Sequence, residues 1–344
     1  PVLAFRTVTY CTENEETPSS TGVENPVVAA LARSELKKME VFASKHDFTL
    51  TVLTGEPDIN SSWPGRVLTG RALPTYPSSQ SMDCSISWKV DVSQRLLKEA
   101  LKKAEDLTQW NTPVLMTGVR LGESASRDVR IAKRNEHGDG IWSNSDGELR
   151  ISPILSFSTD DVWETLGYAA AGIINSYSDF AEVIEFYRDA GGGCVVLSAD
   201  STRGSSKPCG ARSGCWACTR AGKADRSAEQ LVESNETKYG HLKPLNRLRT
   251  YLVNIQYDWS LRNHLGRTIA KDGHIEVVAD AFSPETLRKL LIYTLTAERL
   301  SGVPIISAAQ LILIDAKWSA SAFFPPFTAI KTYFDVVDRG MYEQ

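Results

Sequence analysis

No stretch of this sequence stays apolar for the roughly 20 residues that a membrane-spanning helix needs, and no hydrophobic leader opens it. Cysteine is scarce, six in 344 residues, which excludes a small secreted domain stapled by disulfides. Reduced thiols in a cytoplasmic protein with no membrane partner are the expectation. Charge of one sign is missing too: 38 Lys and Arg against 42 Asp and Glu leave a net −4, so overall charge says nothing of nucleic acid. At 42% hydrophobic and 9% aromatic residues the chain can bury a large core and is not disordered.

The few cysteines are not spread evenly. Cys194, Cys209, Cys215 and Cys218 fall in one Gly-, Ser- and Arg-rich stretch, GGGCVVLSADSTRGSSKPCGARSGCWACTRAGKADR, whose last three read C-x5-C-x2-C. Buried structural thiols sit among apolar neighbours, and these do not; close thiolate spacing in a loop is how chains present sulfur to one metal centre. A single C-x2-C after a long first spacing suits a [4Fe-4S] cluster at least as well as a zinc ribbon, and zinc remains the rival. Isolated thiols and a redox disulfide are the other readings. From Cys194 to Lys271 there are thirteen Lys and Arg against six Asp and Glu, a net +7 that leaves −11 for the rest of the chain. Such a segment is either a face for polyanions or a solvated loop.

Elsewhere the pattern is that of an α/β protein. PVLAF and RTVTYC read as strands that abut at Phe5 and Arg6 with no turn between them. Asn25-Pro26 is a helix start, Asn as cap and Pro at the first position, and the amphipathic run continues to about His46. DFTLTVLTGE then reads as a strand, SWKVDVSQRLLKEALKKAE as a helix and TPVLMTGVR as a buried strand. This alternation predicts a parallel sheet with helices on both faces, ligands binding beyond the carboxyl ends of its strands. The expected division is 1–180 for this domain, 181–275 for a cysteine-rich basic insert, and 276–344 for a C-terminal helical region. In the last, Ser283-Pro284 starts a helix, and Trp318 with the FFPPF run suggests a docking surface.

Two rim segments carry chemistry. In TGVRLGESASR, Arg120 and Arg127 flank Glu123 and Ser124 directly after a strand; guanidinium forks suit phosphate oxygens, and Gly118 and Gly122 let backbone amides approach an anion. The plainer reading is a surface ion pair with Glu123. Cys84, in SMDCSISWKV, stands at a helix start with Lys89 a turn further on, which would lower its thiol pKa and make it reactive. Otherwise it is buried filler.

Together these residues resemble a family. TGVRLGESASR is similar to the G-x-R-x-x-E-S-x-x-R signature of the phosphoadenosine phosphosulfate reductase family, which has an adenine-nucleotide α-hydrolase-like fold. GVENPVV, MDCSISWKV, DDVWETLG, the C-x5-C-x2-C run and LRNHLGRTIAKDGHIEV, in this order over about residues 1 to 280, resemble the DndC/SspD-type ATP pyrophosphatases of bacterial DNA phosphorothioation systems. The resemblance implies a [4Fe-4S] cluster on Cys209, Cys215 and Cys218, with Cys194 as the fourth ligand. It also implies a catalytic Cys84 that carries a persulfide or faces the nucleotide. Thr117, Gly118, Arg120, Glu123, Ser124 and Arg127 would then face ATP, which enters with Mg²⁺. The implied partners are DNA, a cysteine desulfurase as sulfur donor, and other phosphorothioation subunits.

The sequence departs from that family at one point. A pyrophosphate-cradling S-G-G-x-D-S loop and a helix should separate the first two strands, and here none does. Two parallel strands need a crossover of about 30 residues, so a missing segment is the expected explanation. A protein that had truly lost the loop would be a catalytically inactive Fe-S DNA-binding subunit. Cys11-Thr12 also stands where the family has Asp-Thr. A sulfonucleotide reductase is the remaining alternative, but no cysteine follows Cys218, where that family has a catalytic one.

Overall fold

The computed structural model describes residues 7–9, 21–47, 50–76, 83–107, 114–145, 147–192, 214–220 and 225–343. It is a mixed α/β structure in which helices predominate and the sheets are small. Strand β1 (Thr7–Thr9) pairs in parallel with β2 (Leu50–Val52), on either side of helix α1 (Pro26–Lys45). That bears out a strand within RTVTYC and another in the run after Asp47, each paired over three of the described residues. PVLAF and Cys11-Thr12 lie outside the described residues.

Helix α1 begins where the sequence sets it. Asn25 Oδ1 accepts from Val27 N at 2.9 Å and Pro26 takes the first helical position, where a missing N–H costs nothing. The second helix opens with a wide turn, Ser85–Val90, before settling into α2 (Asp91–Leu107). A second three-stranded sheet has the order β3-β5-β4, with β3 (Val114–Met116) parallel to β5 (Leu149–Ile151) and β4 (Trp142–Ser143) antiparallel to it. Helix α3 (Ala125–Lys133) links the two halves of that sheet. Val114 and Met116 are exposed, against the expectation of a buried strand: β3 is an edge strand and one of its faces lies open.

Helices α4 (Thr159–Ala170) and α5 (Ala181–Tyr187) lead to the cysteine-rich stretch, after which come α6 (Arg226–Ser234), α7 (Glu236–Tyr239) and α8 (Leu242–Ile255). A long hairpin, β6 (Arg262–Ile269) with β7 (Ile275–Phe282), precedes the C-terminal helices α9 (Pro284–Ser301), α10 (Ala308–Ala320) and α11 (Thr328–Val337). No described helix is long and apolar enough to cross a membrane.

The main core lies among these later helices. Leu287, Leu290, Leu291 and Leu295 of α9 are wholly buried against Leu245, Leu248 and Leu252 of α8 and against the wide turn Pro64–Leu68. Only glycine fits at position 65 of that turn, because a Cβ would stand 1.8 Å from the Ile59 carbonyl oxygen. Trp318 is 1% exposed and its Nε1 donates to the Leu68 carbonyl at 2.6 Å. It is therefore a core residue rather than part of a docking surface, turned inward by the apolar spacing of α10; of the FFPPF run, Phe323 and Phe324 are half-buried and Pro325, Pro326 and Phe327 are exposed.

Candidate functional site

The thiols converge from two separate elements. Cys84 sits in the first turn of the helix that becomes α2, half-buried and packed against the main core. Arg66 fixes this start: its Nη2 donates to Asp83 Oδ2 at 2.7 Å while its Nε holds the Ala72 carbonyl at 3.0 Å. Trp88, one turn on, is buried with its indole N–H on the Ser61 carbonyl. Cys215 and Cys218 come from the loop 214–220, where Cys218 N closes a turn onto the Cys215 carbonyl at 3.0 Å. The residues between them enter the core, Trp216 at 5% and Ala217 at 9% exposed.

Three contacts hold that loop against the N-terminal half. Trp216 N donates to the Val23 carbonyl at 2.9 Å, its ring meets Trp63 edge-on at 5.1 Å between centroids, and the Thr219 hydroxyl bonds that of Thr75. Cys84 and Cys215 thereby pack against one core, and Cys218 opposes the ionisation of both. Burial lifts the Cys84 thiol above its ordinary range and Cys218 adds to the rise, outweighing the Ser85 amide and Lys89. This corrects the expectation of a lowered pKa: the helix start and the cation are where the sequence implies, but desolvation wins. Cys215 is pushed up to about 12, by burial first; Lys89 pulls the other way, and Glu24, Cys218 and Cys84 add to the rise.

A C-x2-C turn with two thiols on one loop fits a soft metal or iron-sulfur centre by its donor chemistry. Cys194 and Cys209, the other expected ligands, lie outside the described residues. Among the described residues, no three His, Cys, Asp or Glu side chains form a group that could hold a metal ion.

The expected nucleotide loop is a separate piece of architecture. Thr117 continues β3, its N–H donating to the Ile151 carbonyl at 2.9 Å and its hydroxyl meeting that of Ser152 at 3.0 Å. Glu123 pairs with both guanidinium groups, Arg120 Nε at 3.5 Å and Arg127 Nη1. Arg120 Nη1 also donates to the Phe157 carbonyl at 3.2 Å. Ser124 caps α3 by accepting from Arg127 N at 3.3 Å, and Gly122, at φ +81°, gives its N–H to Asp128 Oδ1 at 3.0 Å. A Cβ at Gly118 would meet nothing within 4 Å, so the backbone there is open to a ligand. Outside the loop and α3, its hydrogen bonds run to residues 151–159 among the described residues.

Sequence reasoning missed the residues that seat the thiol loop, Trp63 and Thr75. A Trp between two cysteines was the available signal, since an indole in so polar a stretch needs an apolar socket. The chain matches no family model, no curated protein and no solved structure.

Proposed function

We propose that this chain is an ATP pyrophosphatase that activates an oxygen of the DNA backbone for replacement by sulfur. The observation that carries the reading is that Cys84 and Cys215, more than 130 positions apart in sequence, both pack against the main core, with Cys218 on the same turn as Cys215. The adenine-nucleotide α-hydrolase-like sheet is supported by the parallel pairs β1-β2 and β3-β5, and a nucleotide site at Thr117–Arg127 by the arginines that follow β3.

A phosphate oxygen is a poor leaving group. Its attack on the α-phosphorus of Mg²⁺-ATP expels pyrophosphate and leaves it as an adenylate, which a sulfur nucleophile displaces as AMP. Arg120 and Arg127 are suited to hold phosphate oxygens in line, with Glu123 setting the two forks beforehand. Cys84 is suited to hold sulfur delivered by a partner cysteine desulfurase: its half-buried place leaves it reachable by a donor, and Lys89 offers a cation to the thiolate. Cys215 and Cys218 would be two ligands of a [4Fe-4S] cluster, which when bound supplies thiolate stabilisation and a soft site for sulfur. The net +7 between Cys194 and Lys271 suits the DNA backbone and predicts binding that weakens steeply with salt.

The test is anaerobic purification with iron and sulfide quantification, followed by pyrophosphate release from ATP with DNA present. Iron, sulfide and DNA-stimulated turnover support the reading. Zinc without iron sinks the cluster, and salt-sensitive DNA binding without turnover leaves an inactive Fe-S DNA-binding subunit. Reduction of a small adenylyl sulfate would make the chain a sulfonucleotide reductase instead.

A further inference from the structure

Beneath the loop of Cys215 and Cys218 lies a buried ion pair that none of the chemistry above uses. Arg249 of α8 is 2% exposed, and its Nη1 meets Asp225 Oδ2 at 2.9 Å. Asp225 is fully committed: Oδ1 caps α6 by accepting from Ser227 N at 3.1 Å and Ala228 N at 3.3 Å, and its own N–H donates to Asn246 Oδ1 at 2.9 Å. Gly214 rests on the pair, since a Cβ there would stand 3.7 Å from Asp225 Oδ2 and 3.9 Å from Arg249 Nη1. Between them is a cavity of about 20 Å³ lined by Asn25, Gly214, Trp216, Asp225, Asn246 and Arg249. Arg249 Nε is buried without a hydrogen-bond partner among the described residues.

A buried ion pair is weak evidence of stability, because apolar residues of equal volume do as well once desolvation is counted. What it does supply is one geometry. The single Nη1–Oδ2 contact ties α8 to the start of α6, so the floor under Gly214–Trp216 cannot slide as an apolar floor could. Trp216, which shares the cavity wall, carries that fixed position to the cysteines on either side of it.

We propose that Arg249 and Asp225 are positioning residues for the thiol site. The pair sets the height and angle of the loop that holds Cys215 against the core beside Trp216. This rests on the reading of the cysteines as a sulfur site only in the part of its test that counts iron. The experiment compares wild type, the neutral double variant Asp225→Asn with Arg249→Gln, and Arg249→Lys. Asn retains the cap of α6, and the double variant leaves no buried charge unpaired.

Cys215 labelling by iodoacetamide is followed by mass spectrometry in the metal-free chain, next to thermal melting and iron per chain. Loosening the loop should speed Cys215 labelling about tenfold in the double variant, with the melting temperature nearly kept. Arg249→Lys, which keeps the charge on a shorter and more flexible stem, should give about a threefold rise. Iron per chain should fall in the same order. Labelling of Cys215 at the wild-type rate in both variants overturns the inference; if the double variant does not fold, the Arg249→Lys rate decides alone. A wild-type chain that takes up no iron would sink the cluster, and the labelling rates would still decide the role of the pair.

Discussion

At the residue scale, ionisation of Cys215 is the sharpest consequence of the thiol site. Its folded pKa, pushed up to about 12 by burial before any other cause, lies above the ordinary thiol value of 9.0. The folded chain therefore keeps its proton where the unfolded chain has lost it. Stability from this group is whole below about pH 9 and declines as pH rises towards about 12, because the unfolded state then binds fewer protons. For the metal-free protein, denaturation midpoints between pH 8 and pH 11 should fall, and Cys215→Ala should flatten that fall. Flat profiles for both proteins would mean that the thiol is not sealed. Bound metal should reverse the order, since coordination favours the thiolate.

Arg127 separates two meanings of its loop. Its ion pair with Glu123 is part-exposed, so as a structural contact it is worth no more than about 1 kcal/mol. A guanidinium that also holds triphosphate makes charge-assisted bonds worth about 1.5–3 kcal/mol, roughly ten- to a hundredfold in affinity. Arg127→Ala should therefore leave the melting temperature within a few degrees and raise KM for ATP at least tenfold. An unchanged KM would return the loop to a surface ion pair.

At the element scale, the turn between α10 and α11 is held by one carboxylate. Asp315, 8% exposed, accepts from Phe327 N and Ala329 N at 2.8 Å each, while Phe327 sits in the left-handed region at φ +70°. Asp315→Ala would strand the buried Ala329 donor, at a cost of about 1–3 kcal/mol, and release the part-buried one of Phe327. Asp315→Asn, which retains an acceptor, should cost clearly less; equal losses in chemical denaturation would show that charge matters more than the bonds. Helix ends were legible wherever a cap has its own chemistry: Asn25-Pro26 and Ser283-Pro284 both start helices, the Ser283 oxygen accepting from Thr286 N at 3.3 Å. Strand extent was not legible, because pairing over three residues is decided by the partner strand and not by the run of β-branched residues. Trp318 was misread for a related reason, since which face of α10 is covered depends on the distant turn at Leu68. In the site, spacing marked Cys215 and Cys218, but nothing local to Cys84 could say that the tertiary fold lays it beside them.

At the scale of the whole molecule, the hydrophobic core crosses the boundary that the sequence suggests at residue 276. Leu287, Leu290, Leu291 and Leu295 are wholly buried, Trp318 is 1% exposed, and their surroundings include Trp63, Val67, Leu68, Leu245, Leu248 and Leu252. Trp63 in turn touches Trp216, so the C-terminal helices underlie the thiol wall at one remove. Burying a large apolar side chain is worth about 1.5–3 kcal/mol, and a domain's net stability is only about 5–15 kcal/mol. Loss of α9 to α11 therefore removes more than the remaining fold can spare. A chain ended at Phe282 should bind an apolar dye, lose its cooperative melting transition, and label at Cys84, Cys215 and Cys218 alike. A separable C-terminal domain would instead leave a truncated chain that melts cooperatively and still seals Cys215, which would place the thiol site on the N-terminal half alone.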